Sequence, residues 1–111
     1  MSKELEKAAA LHKQANEILE NTRKLVSDTK PDDLSSAEQD NLKQAQALYT
    51  EALMQDPTNY ELYYNRSVVS DLLGFRSQSY HDFDAAIHYA PVEVKECLRH
   101  EKNARMMNEQ L

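Results

Sequence analysis

The chain has 111 residues, of which 41% are hydrophobic and 29% charged, and its 13 basic against 19 acidic side chains give a net charge of −6. That length is one domain's worth with a modest core. The composition excludes a disordered chain, and the acidity argues against a nucleic-acid binder, which needs a basic stripe to displace counterions. One Gly and three Pro leave little turn chemistry for β-hairpins, while abundant Ala, Leu, Glu, Lys and Gln favour helix throughout. No apolar run approaches the ~20 residues of a membrane span. The charged start, MSKELEKAAALHKQ, lacks the apolar centre of a signal peptide. The lone Cys97 has no internal disulfide partner, which suits a reducing compartment. The expected setting is cytoplasmic, with no membrane insertion.

In chain order, residues 3–27 carry apolar positions at Leu5, Ala8, Leu11, Ala15, Ile18, Thr22 and Leu25, a spacing of three and four that predicts an amphipathic helix. The stretch SDTKPDDLSS follows, read as an acidic loop over residues 28–35 with Asp28, Asp32 and Asp33. Its polarity suggests that the fold would tolerate removal of residues 29–34. Ser35 and Glu38 form a capping box that opens a helix ending at Gln55. After Pro57, Thr58 and Glu61 form a second candidate box for a helix over about 59–73. Gly74 supplies a turn, Ser77 caps a helix reaching about Tyr89, and Pro91 suits the first turn of a last helix that ends near Asn108.

Shifted against itself by 34 residues, the sequence aligns Ala45, Tyr49, Ala52, Leu53, Asp56 and Pro57 with Ser79, Phe83, Ala86, Ile87, Ala90 and Pro91. Small falls on small, aromatic on aromatic, aliphatic on aliphatic and Pro on Pro. A period near 34 residues belongs to helix–turn–helix solenoids. The segments AQALYTEALMQDPTN and YELYYNRSVVSDLLGFRSQSYHDFDAAIHYAP resemble the tetratricopeptide repeats; residues 42–93 carry the resemblance well and the flanks loosely. The resemblance implies an all-α fold, a right-handed superhelical stack of two helix–turn–helix repeats plus a C-terminal capping helix. It spans residues 1–111 as a single domain, with a first repeat over about 3–59 that holds the loop, a second over 60–93, and the capping helix over 92–108. Arg66, Ser70 and Ser79 depart from the pattern, standing where the family often has Leu, Tyr and Ala. The first repeat is also stretched, and because its apolar stripe continues to Val26, extended helices are expected.

Some members of this family hold a C-terminal carboxylate with Lys and Asn on the first helix, Asn on the third, and Lys and Arg on the fifth. Their ligands are tails such as Glu-Glu-Val-Asp of the major heat-shock chaperones. A chain end and an Asp side chain offer two carboxylates, and charge-assisted bonds hold them more strongly than neutral ones would. Residue by residue, the resemblance carries this clamp onto His12, Asn16, Asn65, Lys95 and Arg99. HKQANEIL places Asn16 in the clamp position and His12 where a Lys is usual. LYYNRSVV places Asn65 on the inner face, and KECLR, beginning four residues after Pro91, supplies Lys95 and Arg99 at i and i+4, on one helix face. The same two cations can also be read as ordinary solvated surface. A neutral His12 cannot replace a Lys charge, although a bound carboxylate favours the protonated imidazole, so binding should be weaker than for the full pattern or depend on pH. The implied function is a non-catalytic adaptor of co-chaperone type. It would bind the acidic C-terminal tail of a seventy- or ninety-kilodalton heat-shock chaperone. The alternative is the same scaffold binding another protein segment, or itself, without a clamp.

Other candidates are weaker. His81, Asp84 and His88 share a helical face, but the repeat register turns it outward among polar neighbours, so solvated surface outweighs a metal site. Cys97 lies ~200° round the helix from Lys95 and Arg99; beside Leu98 it reads as buried packing rather than a nucleophile. With no Ser-His-Asp order, Gly-rich phosphate loop or pocketed carboxylate pair, neither enzyme activity nor a cofactor is expected. Tyr49, Tyr60, Tyr63, Tyr64, Tyr80 and Tyr89 mostly fill helix contacts, with Tyr64 either in the core or on the inner surface. Arg66 either meets acidic residues of a ligand or pairs with the chain's own carboxylates. Met106 and Met107 either pack on the preceding helix or offer a sticky surface, and core packing is the simpler reading.

Overall fold

A computed structural model describes residues 2–26 and 29–110; Asp28 of the acidic loop lies outside the described residues. Its elements are α1 (Lys3–Val26), a 3-10 turn (Pro31–Asp33), α2 (Ser36–Gln55), α3 (Tyr60–Leu72), α4 (Arg76–Tyr89) and α5 (Val92–Gln110). There is no strand among the described residues, and no helix there is long and apolar enough to cross a membrane. The stretched first half is built from long helices, α1 and α2 having 24 and 20 residues against 13 and 14 for α3 and α4.

Local chemistry sets the boundaries, not always as expected. Ser35 and Glu38 form both bonds of the capping box. At α3, Asn59 rather than Thr58 is the cap: its side chain accepts from the Glu61 N–H and donates to Asp56. At α4 the helix begins at Arg76, ahead of Ser77, and Phe75 at the cap position makes no side-chain bond. The turn itself is fixed from the α3 side. The Phe75 N–H reaches the Ser70 carbonyl and the Gly74 N–H that of Asp71, with Gly74 at φ 84°. This double closure requires a left-handed residue, which glycine supplies without a Cβ clash.

The helices pack mainly as consecutive pairs, α1 with α2 and α3 with α4. α2 joins the pairs by packing on α3, and α5 lies on α4. Three of the six pairs related by the 34-residue shift match in full burial: Ala45 and Ser79, Tyr49 and Phe83, and Ala52 and Ala86 are all 1% exposed or less. On α1 the buried face runs through Ala8, Ala15, Leu19, Thr22 and Val26, whereas Leu25 is 70% exposed. A stripe read from Leu5 to Leu25 drifts off the true contact line, because its steps average about 3.3 residues against the 3.6 of a helical turn, which Ala8, Ala15, Leu19, Thr22 and Val26 keep.

The segment 29–34 is more than a polar connection. Leu34 is buried in the main core, and Pro31 lies against Gly74, where a Cβ on the glycine would come within 3.0 Å of the proline Cβ. Removing residues 29–34 would therefore take away a core side chain and the brace under the α3–α4 turn, contrary to the sequence expectation.

The interior between α3 and α4 is partly polar. Arg66 donates from Nε and NH2 to Asp82 at 2.8 and 2.7 Å, and from NH1 to Thr50 Oγ1 at 3.2 Å. Ser79 Oγ donates to the Ser67 carbonyl, and Gln46 Nε2 to Ser70 Oγ. Arg66 thus pairs with the chain's own carboxylate, and those bonds raise its pKa above the ordinary guanidinium value.

Two expectations for α5 fail. The helix rests on α4 along Leu98, with Val94 beside it, and Tyr60 and Tyr64 of α3 pack on the same cluster. Met106 and Met107, further along the helix, are 42% and 66% exposed, and Cys97, beside an open hollow shared with α3, is exposed rather than buried.

Candidate functional site

A polar cluster on the surface joins α1 to α3. Asn16 follows His12 by four residues, so both leave α1 on the same side, facing Asn65 of α3. Asn65 Nδ2 lies 3.1 Å from His12 Nε2 and 3.1 Å from Asn16 Oδ1. From beneath, the Tyr49 hydroxyl of α2 donates to the same Asn16 oxygen at 2.5 Å. Tyr49 is fully buried, and its burial pushes the phenol pKa well above the usual range, so it keeps its hydrogen. Its ring meets the His12 imidazole edge-on at 6.1 Å.

These residues border an open hollow of about 560 Å³ that also takes in Lys13, Glu17, Glu20 and Arg23. Two cations and two carboxylates nearly cancel there, so binding would depend on the fixed amide and imidazole groups. Asn65 also borders a second hollow, about 370 Å³, with Tyr60, Glu61 and Tyr64 of α3 and Cys97, Leu98 and Glu101 of α5. Tyr64 donates to Glu101 Oε1 at 2.9 Å; burial first, then that bond, raises its phenol pKa. α1, α3 and α5 therefore contribute to one surface, with Asn65 where its two hollows adjoin.

Of the five residues singled out from the sequence, the structure brings His12, Asn16 and Asn65 into direct contact. It places the two cations differently. Lys95 Nζ donates to the carbonyls of Ile87 and His88 at 2.6 and 2.9 Å, which closes the C-terminal end of α4. Arg99 forms an ion pair with Glu96 three residues earlier, both side chains being more than half exposed. Tyr49, which orients the cluster, escaped sequence reasoning because no local pattern links it to Asn16, 33 residues away.

The remaining candidates have separate positions. Asp84 receives Lys102 Nζ, and His88 meets the Tyr89 ring edge-on. His81 borders a hollow of about 660 Å³ between α2 and α4, above the Arg66–Asp82 pair. Among the described residues no three or more His, Cys, Asp or Glu side chains lie close enough together to hold a metal ion.

Comparison with protein-family models, with characterised proteins and with solved structures finds no match to this chain.

Proposed function

We propose that the protein is a non-catalytic adaptor of the tetratricopeptide-repeat type. On this reading it binds the carboxylate end of an extended protein segment on the surface formed by α1, α3 and α5. The observation that carries the reading is the convergence of His12, Asn16 and Asn65, from two helices far apart in sequence, on one open hollow. The right-handed superhelical stack and the co-chaperone role, with an acidic heat-shock chaperone tail as ligand, belong to the same proposal. They are supported by the 34-residue register and its matched burial.

In this reading the terminal carboxylate sits against the cluster of His12, Asn16 and Asn65, with His12 its weaker member. Arg99 joins by exchanging Glu96 for the ligand, a cheap trade because exposed ion pairs contribute little. For Lys95 to join, it must release the Ile87 and His88 carbonyls. The test is calorimetric titration of a Glu-Glu-Val-Asp peptide against its C-terminally amidated form. The acid should bind and the amide should not. Arg99→Ala should remove measurable binding with thermal stability nearly unchanged, and His12→Lys should tighten binding at neutral pH. Equal binding of acid and amide would sink the carboxylate reading. It would favour the second one, a scaffold for another segment or for itself, to which the exposed Met106, Met107 and Val92 point.

A further inference from the structure

The cluster at the site has a direction. Asn65 spends both hydrogens of its Nδ2 on His12 and Asn16, and the Asn16 oxygen fills both lone pairs with Asn65 and Tyr49. His12 Nε2 must then accept, which requires the neutral imidazole with its hydrogen on Nδ1. In this state the chain reads from Tyr49 to Asn16, from Asn65 to Asn16, and from Asn65 to His12.

We propose that protonation of His12 reverses this chain and converts the site into a positively charged, carboxylate-binding state. The proposal rests on the carboxylate reading of the same surface and concerns its regulation. Once Nε2 carries a hydrogen, it faces Asn65 Nδ2, another donor, at 3.1 Å. The Asn65 amide must turn over, giving its oxygen to His12 and swinging both N–H groups toward the hollow. That oxygen now meets the Asn16 oxygen, so the Asn16 amide turns too and donates to Asn65 and to the Tyr49 oxygen. The Tyr49 hydrogen is then left without its acceptor in a fully buried place, and this cost keeps the neutral direction as the resting one. The groups facing His12 do not supply an alternative switch. Along α1 the hollow holds Lys13 and Arg23 against Glu17 and Glu20, α3 presents the uncharged Asn65, and α2 presents the Tyr49 phenol.

The reversal exchanges the unspent N–H groups of Asn16 for those of Asn65, so a bound carboxylate favours the reversed state through the imidazolium charge, and binding takes up a proton. The sign follows: affinity rises as pH falls, by up to about tenfold per pH unit while free His12 is neutral, and levels off once it is already charged.

The deciding experiment is nuclear magnetic resonance of the His12 ring nitrogens and the Asn16 and Asn65 side-chain amides in the free protein, from about pH 8 to about pH 5. The neutral imidazole should carry its hydrogen on Nδ1, and both amides should change in step with the ring. Tyr49→Phe, which removes the stranded hydroxyl, should bring the amide change to higher pH. A neutral ring protonated on Nε2, or amides that stay fixed while His12 titrates, overturns the proposal. A Glu-Glu-Val-Asp peptide provides the second readout: it should bind on the order of tenfold tighter at the lower end of that range, and His12→Gln should erase the difference. A peptide that binds at no pH refutes the carboxylate reading, while the resonances still decide the switch.

Discussion

The two helix pairs, whose second helices α2 and α4 are related by the 34-residue shift, fill their interiors differently. Between α1 and α2 the interior is Ala8, Ala15, Leu19, Leu42, Ala45 and Ala52, with the Tyr49 hydroxyl reaching out to Asn16. Between α3 and α4 it includes Ser67, Ser70, Ser79 and the Arg66–Asp82 pair. The first pair tolerates imperfect geometry because apolar contact is non-directional. The second depends on each polar group finding its partner, and a half-satisfied buried network is worse than none.

The largest break in this comparison is Asp82→Ala. It leaves the half-buried Arg66 guanidinium without the carboxylate that takes two of its bonds, and should cost about 3–5 kcal/mol in denaturant unfolding. Replacing both partners, Arg66→Leu with Asp82→Leu, makes the second interior resemble the first and should recover most of that loss. A double variant as unstable as Asp82→Ala would show that the pair fixes the helix packing itself.

Next in size is Leu34→Ala, in the connection between α1 and α2. The side chain is 6% exposed within the main core, so truncation should cost about 2–4 kcal/mol by thermal or denaturant unfolding. An effect below about 1 kcal/mol would restore the view of residues 29–34 as a dispensable loop. The contrast shows what was legible in the sequence. Helix number, the Ser35–Glu38 box, Gly74 at the turn and the 34-residue register all follow from local pattern and spacing. The role of Leu34, a single apolar residue among acids, does not, because its partners come from other elements. The candidate site divides in the same way. His12, Asn16 and Asn65 could be placed through the family resemblance of HKQANEIL and LYYNRSVV. Tyr49 beneath them, and the backbone carbonyls that hold Lys95, depend on packing that no local pattern encodes.

A third test uses the paired aromatics Tyr49 and Phe83. Tyr49→Phe gives up one hydrogen bond to a water-exposed amide and should cost about 1 kcal/mol near neutral pH. It should also change alkaline behaviour. The phenol pKa is raised in the folded state, so its contribution is complete below the ordinary phenol value near 10 and is lost as pH rises beyond it. Above that point the wild type should lose about 1.4 kcal/mol per pH unit through this group, a slope that Tyr49→Phe removes. An unchanged alkaline slope would mean that Tyr49 ionises as readily folded as unfolded.

The smallest effects separate the two cations of α5 and return to the site. Lys95 closes the end of α4 with two bonds to backbone carbonyls, so Lys95→Ala should cost about 0.5–1 kcal/mol. Arg99 pairs only with exposed Glu96, so Arg99→Ala should cost less than about 0.5 kcal/mol. If both cations bind ligand, both variants lose the carboxylate peptide whatever their stabilities. If Lys95 is a helix cap and Arg99 a binding residue, the orders cross: Lys95→Ala melts earlier and still binds, whereas Arg99→Ala melts with the wild type and does not bind. Measuring unfolding and peptide affinity on the same two variants therefore assigns each cation its own role. Wild-type affinity in both would leave the pair as solvated surface, with recognition confined to the hollow bordered by His12, Asn16 and Asn65.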